Sequence, residues 1–209
     1  MTKSVGNRGL FIVFEGVEGS GKSTQSHLLT RQLDREGINC LHLREPGDTE
    51  TGEKIREWLQ TSSDLDGYSE LFLLSASRRA LVKNKIIPAL ANDHVVVLDR
   101  YTYSTLAYQG FGRGIDIQHI DYVNMLATDD LNPDIAFLLD INPEDSFQRK
   151  QKGTLDRWEL ENIDFHKKVR DGYLKISEND QNLWTVINAN QTSESISEKV
   201  WDIVRRHLR

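Results

Sequence analysis

The chain has 209 residues, of which 38% are hydrophobic and 28% charged, as expected for one soluble domain with a sizeable core. Its net charge of −6 argues against a general nucleic-acid-binding protein, although a local group of Arg and Lys can still bind a small anion. Cys40 is the only cysteine, so no intramolecular disulfide can form, and no apolar run has the length of a membrane span or the pattern of a signal peptide. We therefore expect a cytoplasmic protein without a membrane partner.

The N-terminal part of the chain predicts a strand, a glycine-rich turn and a helix. Residues 1–9 are polar, and we expect a flexible tail there. Residues 11–15 form a short β-prone run that ends in one charge, and leucines at helical spacing begin at Leu28. Between them, residues 16–23 read G-V-E-G-S-G-K-S, which matches the phosphate-binding pattern G-x-x-x-x-G-K-[ST].

This loop predicts a nucleoside triphosphate site. Glycines let successive backbone N–H groups point at a polyphosphate, and the following helix N-terminus adds partial positive charge. Lys22 would reach the β- and γ-phosphates of the nucleotide, and the Ser23 hydroxyl would join the shell of Mg²⁺. A carboxylate beside phosphate is unexpected, so Glu18 is predicted to face a metal or an arginine. The predicted nucleotide-binding residues are Gly16, Val17, Glu18, Gly19, Ser20, Gly21, Lys22, Ser23 and Thr24.

The rest of the chain alternates predicted strands with predicted helices. The further strands are expected at residues 39–43, 95–98, 135–139 and 184–187, and the helices at residues 53–59, 68–90, 143–152, 165–178 and 193–208. Continuous apolar runs bounded by charges are typical of central parallel strands covered on both faces. We therefore predict a single α/β domain over residues 1–209, with a mostly parallel five-stranded sheet between helices on both faces, the three-layer P-loop NTPase fold.

Charged residues follow the predicted strands at the edge where ligands bind in such sheets. Asp99 ends an apolar strand, where it can either hold a water of the Mg²⁺ shell or simply terminate the strand. Arg100 follows it, and its planar guanidinium suits bidentate contacts to phosphate. We interpret Asp99 as a metal residue and Arg100 as a phosphate clamp.

Three further segments carry alternative interpretations. Residues 149–157 are rich in cations, which suits either a flap that closes over phosphate or a solvated helix end. Residues 101–114 are rich in aromatic residues and glycine, which suits either nucleobase stacking or core packing. Arg78 and Arg79 interrupt an apolar helix face, so at least one of them is predicted to point into a cavity.

The ordered motifs resemble those of bacterial thymidylate kinases. They read F-I-V-F-E-G-V-E-G-S-G-K-S-T-Q, R-E-P-G, L-D-R-Y, A-Y-Q-G-F-G-R-G and L-D-R-W-E, from residue 11 nearly to the C-terminus. This resemblance implies transfer of the ATP γ-phosphoryl group to dTMP with Mg²⁺, and homodimers built on a helix interface.

The resemblance also assigns roles to individual residues. Arg78 corresponds to the arginine that pairs with the thymine edge, and Tyr108 to a tyrosine near the 2′ position that disfavours ribonucleotides. The implied catalytic residues are Glu18, Lys22, Arg100, Lys150, Lys152 and Arg157, the last three on a lid at residues 149–157. The implied substrate-binding residues are Arg44, Leu74, Arg78, Arg100, Ser104, Thr105, Tyr108 and Gln109, and the implied metal-binding residues are Ser23 and Asp99.

The chain departs from the family pattern at three places. Asp48 replaces the second glycine of R-E-P-G-G-T, near the acceptor phosphate, and Leu74 replaces a phenylalanine that stacks on thymine. Lys150 and Lys152 stand where lid arginines are common, so point charges replace bidentate forks. These positions bear on acceptor preference and on the strength of phosphate binding.

Three other functions remain possible from the residues. A kinase of the same fold could act on dUMP, dGMP or a nucleoside. A P-loop switch is disfavoured, because residues 84–87 lack the aspartate of an N-K-x-D motif and fall within a predicted helix. An inactive homologue is disfavoured by the presence of Lys22, Ser23 and Arg100.

Overall fold

A computed structural model describes residues 8–149 and 161–208 and contains a five-stranded, wholly parallel sheet. The strands are β1 (Phe11–Glu15), β2 (Cys40–Arg44), β3 (Val95–Asp99), β4 (Ile135–Asp140) and β5 (Trp184–Asn188), in the order β2-β3-β1-β4-β5. Every residue of β1 and β3 is buried, which requires cover on both faces of the sheet. The predicted parallel α/β fold is confirmed, and each predicted strand lies within one residue of its observed bounds.

The helices connect the strands. They are α1 (Lys22–Arg35), α2 (Glu50–Thr61), α3 (Gly67–Leu81), α4 (Ile87–Ala91), α5 (Thr102–Thr105), α6 (Ile117–Thr128), α7 (Pro143–Arg149), α8 (Ile163–Glu178) and α9 (Ser193–Val204). Several helices begin at an N-cap, where a side-chain oxygen of the preceding residue accepts a hydrogen bond from a backbone N–H of the first turn. These capping residues are Thr49 before α2, Asp66 before α3, Asn162 before α8 and Thr192 before α9.

Two π-helical segments interrupt the α-helices. One, Val82–Ile86, joins α3 to α4, whose second residue is Pro88, and the proline ring removes a helical N–H donor there. The predicted helix over residues 68–90 is therefore three consecutive segments. The other, Leu106–Gly112, continues α5 and carries two of the predicted substrate residues, as π-bulges at functional sites often do. Neither α5 nor α6 was expected from the sequence.

The predicted flexible tail at residues 1–9 is wrong at its last two positions. Arg8 forms an ion pair with Asp134 at 2.9 Å, and the backbone N–H of Gly9 donates to Leu90 O at 2.8 Å. These contacts fix the chain beside β1 and β4. The earlier tail residues lie outside the part of the chain that the structure describes. Within the described ranges, no helix has the length and apolar character needed to span a bilayer.

Candidate active site

The loop between β1 and α1 has a curvature that glycine alone provides. Gly16 and Gly19 have φ angles of 142° and 70°, which side chains on L-residues rarely permit. A Cβ atom on Gly16 would lie 2.6 Å from Leu139 O, and one on Gly19 would lie 2.7 Å from Ser146 Oγ. The loop therefore has the backbone shape expected of a phosphate cradle.

Lys22 opens α1 behind this loop. Its side chain is buried, and Nζ donates to Val17 O at 2.8 Å. Desolvation lowers the pKa of Lys22 to about 8, because burial disfavours the charged form and Arg100 adds repulsion. The ammonium group is therefore near its titration range before any phosphate binds.

This pKa predicts a pH dependence of ATP affinity. A polyphosphate binds the ammonium form and raises the Lys22 pKa, so the Kd for MgATP should be constant below about pH 8. Above that pH it should increase by up to about tenfold per pH unit, the limit for one linked proton. Isothermal titration between about pH 7.5 and 9.5 avoids the phosphate ionisation near pH 6. A Kd that stays flat to pH 9.5 would contradict this expectation.

Ser23 and Asp99 form a place where Mg²⁺ fits. The Ser23 hydroxyl donates to Asp99 Oδ2, and Asp99 Oδ1 is buried with no hydrogen-bond partner in the described part of the protein. No group of three or more His, Cys, Asp and Glu side chains in the described ranges could hold a metal by itself. That arrangement suits Mg²⁺, which is usually held by one or two protein groups together with substrate phosphates and water.

Arg100 adopts a strained backbone conformation directly after β3. Its φ angle is 71°, an uncommon value for a non-glycine residue and one often found at functional sites. Its guanidinium contacts Glu18 Oε2 at 2.7 Å and lies 5.2 Å from the ring centre of Tyr108. The prediction that Glu18 faces an arginine is confirmed. The carboxylate of Glu18 therefore holds the Arg100 guanidinium in place, and this ion pair offsets its negative charge beside the phosphate loop.

A buried hydrogen-bond network supports Arg100 from behind. Glu15, the last residue of β1, accepts from Tyr101 N at 2.8 Å, Ser104 Oγ at 2.6 Å and Tyr173 OH at 3.0 Å. Burial raises the pKa of Glu15, while its hydrogen bonds and Arg100 favour the ionised form. Sequence reasoning missed Glu15 and Tyr173. The single charge at the end of the apolar β1 run was a signal for Glu15, whereas Tyr173 on α8 had none.

A cavity of about 280 Å³ opens beside the phosphate cradle. All eight predicted substrate-binding residues line it, namely Arg44, Leu74, Arg78, Arg100, Ser104, Thr105, Tyr108 and Gln109. The predicted Glu18, Lys22, Ser23 and Asp99 line the same cavity. So do Glu45 and Pro46, which the sequence placed at this edge without a role, and Arg56 and Gln60, which sequence reasoning missed. The fold thus brings the residues predicted for the acceptor against those predicted for the phosphate donor.

Arg78 is a buried cation on the cavity wall. Its side chain is 2% exposed and donates to Glu45 Oε2 and Asn124 Oδ1, each at 2.7 Å. Burial raises the pKa of Glu45 to about 7, although the ion pair with Arg78 opposes this shift. Arg79, in contrast, is half exposed and pairs with Asp129. Of the two arginines, Arg78 is therefore the one that faces a cavity.

Asp48 restrains Arg44 at the mouth of the cavity. Its Oδ2 accepts the backbone N–H of Arg44 at 2.6 Å, and its backbone N–H donates to Glu53 Oε1 at 2.7 Å. Glu53 in turn pairs with the Arg44 guanidinium at 2.9 Å. Two carboxylates therefore hold Arg44, and Asp48 adopts a left-handed φ of 57° where glycine was expected.

The predicted lid falls largely outside the described residues. Arg149 is exposed at the end of α7, where it donates to Asn190 Oδ1 at 2.9 Å. Lys150, Lys152 and Arg157 lie in the range that the structure does not describe, so their roles stay predictions.

Comparisons with known proteins agree with this geometry. The family model described as thymidylate kinase matches residues 14–200. A thymidylate kinase of Thermoanaerobacter sp. strain X514 is 39% identical over 202 residues, covering 96% of this chain and 100% of the relative. One from Caldanaerobacter subterraneus subsp. tengcongensis is 41% identical over 203 residues, covering 97% and 98%. The crystal structure of thymidylate kinase from Ehrlichia chaffeensis superposes with a TM-score of 0.78 at 34% identity, covering 94% of this chain and 98% of that one.

Proposed function

The chain belongs to the thymidylate kinase family, and we propose that it transfers the γ-phosphoryl group of ATP to dTMP, giving dTDP and ADP for dTTP synthesis. One observation carries this proposal at the level of the site. The cavity that contains every predicted dTMP residue also contains Lys22 of the phosphate cradle and Arg100. An acceptor monophosphate on Arg100 would therefore face a donor triphosphate on the loop.

The mechanism depends on positioning and charge neutralisation. Loop N–H groups and Lys22 bind the donor phosphates, while Arg100, held by Glu18 at 2.7 Å, orients the acceptor phosphate. A monophosphate oxygen is already nucleophilic, so the reaction needs no strong general base. Ser23 and Asp99 would hold Mg²⁺, which supplies charge neutralisation at the donor phosphates when bound. The lid cations Lys150, Lys152 and Arg157 belong to the proposal as further contacts to the transferring group.

A coupled assay of ADP release tests this function. We expect turnover with dTMP to depend on Mg²⁺ and to exceed turnover with dUMP and dGMP at equal concentration. The comparison with dUMP is informative because Leu74, which lines the cavity, is aliphatic. It offers the base no aromatic ring to stack on. Absence of dTMP phosphorylation under these conditions would refute the proposal. Preference for dUMP or dGMP would favour a related nucleotide kinase.

We further propose the cytoplasm as the compartment and the homodimer as the active assembly. An apolar surface on α3 and α6 supports the second point, and we call it the α3–α6 face. It consists of Tyr68, Phe72, Tyr122, Met125 and Leu126, and Phe72 is 58% exposed. Large exposed apolar residues on two helices that pack together are typical of interaction surfaces, and a twofold dimer buries the same patch of both copies.

Charge substitutions on the α3–α6 face should separate the two copies. We expect the wild-type protein to sediment with twice the mass of one chain and the double variant Phe72→Glu, Leu126→Glu to sediment as a monomer, because buried unpaired carboxylates are costly. Analytical ultracentrifugation measures this directly. A monomeric wild type, or a double variant that stays dimeric, would contradict the proposed interface.

A further inference from the structure

The side-chain amide of Gln109 uses its NH₂ group in a hydrogen bond within the protein, whereas its oxygen has no hydrogen-bond partner among the described residues. The side chain is 1% exposed and lines the acceptor cavity. Its Nε2 donates to Glu70 Oε2 at 3.1 Å, whereas its Oε1 is buried and has no hydrogen-bond partner among the described residues. An available buried acceptor on a cavity wall costs stability unless a ligand satisfies it.

The chemistry of Glu70 determines which amide end is engaged. A carboxylate accepts hydrogen bonds and cannot donate one, so the NH₂ end of Gln109 has to face Glu70. The amide oxygen is then the atom left for a ligand. If a neutral amide stood at position 70, either end of Gln109 could turn towards it.

Glu70 is itself held firmly. It is fully buried in the first turn of α3, and Arg113 donates to both of its oxygens, at 3.0 Å from Nη2 and 3.3 Å from Nε. Arg113 also binds Glu161 at 2.5 Å, at the start of the second described range. The carboxylate thus has a fixed position, and it does not itself line the cavity.

We propose that Glu70 is a positioning residue for base selection, because it orients Gln109 so that the cavity offers an acceptor to the base. Thymine and uracil carry an N3–H donor that this acceptor can bind. Cytosine has an unprotonated N3 at the same place, so two acceptors would oppose each other. The inference rests on the proposed nucleoside monophosphate kinase function and adds the residue that separates these bases.

The proposal predicts a change in one base preference and not in another, because uracil and thymine share the N3–H group that cytosine lacks. Loss of the Glu70 carboxylate should weaken discrimination against cytosine and leave discrimination between thymine and uracil unchanged. A site built to bind a particular hydrogen-bonding group rejects analogues without it by about 10⁴-fold. A general loosening of the fold would change all of these ratios together.

The experiment compares wild type, Glu70→Gln and Glu70→Asp with dTMP, dUMP and dCMP as acceptors. Glu70→Gln allows both amide orientations, whereas Glu70→Asp keeps the charge beside Arg113 but shortens the reach to Gln109. Glu198→Gln, an exposed position on α9, is the control for the same chemical change. Isothermal titration with the three monophosphates gives the same ratios without turnover, and melting curves identify variants that do not fold.

We expect both Glu70 variants to raise the KM for dTMP by about 5- to 100-fold, the range for an unsatisfied buried group. The dTMP to dCMP ratio of kcat/KM should fall at least tenfold, while the dTMP to dUMP ratio and the KM for ATP stay within about threefold. Unchanged dTMP to dCMP ratios in either folded variant would overturn the inference. If neither variant folds, wild-type phosphorylation of N3-methyl-dTMP at a rate near that of dTMP would overturn it, and loss of that activity would support it. If the proposed function itself is wrong, the wild-type protein will not phosphorylate dTMP. In that case the ratios of the Kd values for dTMP, dUMP and dCMP, measured by titration, decide the role of Glu70.

Discussion

Replacing Arg100 with alanine is expected to lower kcat for dTMP by about two to three orders of magnitude, the usual effect of removing one preorganised electrostatic contact. The guanidinium lies in the cavity between Glu18 and Tyr108, with no other arginine of the described ranges paired to the P-loop. Its loss also removes the 2.7 Å ion pair with Glu18 beside the phosphates. Steady-state kinetics at saturating ATP would measure both kcat and the KM for dTMP.

Arg100→Lys is the matched control for this prediction. A lysine keeps the positive charge but offers a point charge in place of a planar fork, so we expect partial recovery of kcat. Melting temperatures show whether either variant has lost its fold, since the φ of 71° at this position is unfavourable for any side chain. Arg100→Ala with kcat within tenfold of wild type would remove Arg100 from the mechanism.

Replacing Lys22 with methionine should have an effect of similar size. We expect kcat to fall by about two to three orders of magnitude and the Kd for MgATP to rise, because the ammonium group is the cation at the centre of the loop. Methionine is an unbranched side chain of similar length and fills much of the same buried space. Coupled kinetics and titration of MgATP measure the two effects.

Lys85→Met is the control for the same substitution at an exposed site. It should leave both parameters unchanged. The pH dependence of ATP affinity above about pH 8 should also disappear in Lys22→Met, since the titrating group is gone. A Lys22→Met protein that retains wild-type kcat would mean that another cation serves the donor phosphates.

The sequence predicted the sheet well because its signal is local. Each strand is a short apolar run, and the charges after β1, β2 and β3 gather at one edge because parallel strands end on the same side. The P-loop was also read from a local pattern, and the residues alone predicted either a metal or an arginine as the partner of Glu18. Most of the eight substrate residues were instead predicted from the family resemblance, and the structure places all eight around one cavity.

The elements that were missed depend on contacts distant in sequence. The segment Leu106–Gly112 winds as a π-helix and contains glycines, so it shows no regular helical period. Neighbouring side chains crowd the glycines of this segment, since a Cβ atom would lie 2.6 Å from Ile117 Cδ1 at Gly110 and 2.6 Å from Phe165 Cε2 at Gly112. The contact of Glu15 with Tyr173 spans 158 positions. No local pattern encodes such a pairing.

Arg100 and the phosphate loop are joined by the sheet itself. The backbone N–H of Arg100 donates to Phe14 O at 3.0 Å, and that of Tyr101 donates to the Glu15 carboxylate at 2.8 Å. We therefore expect the anchor points for the two nucleotides to move as one rigid body, with a spacing that stays constant through a catalytic cycle. Any opening that admits or releases a nucleotide must come from elements outside β1 and β3, so amide exchange at these two N–H groups should be slow whether or not nucleotides are present.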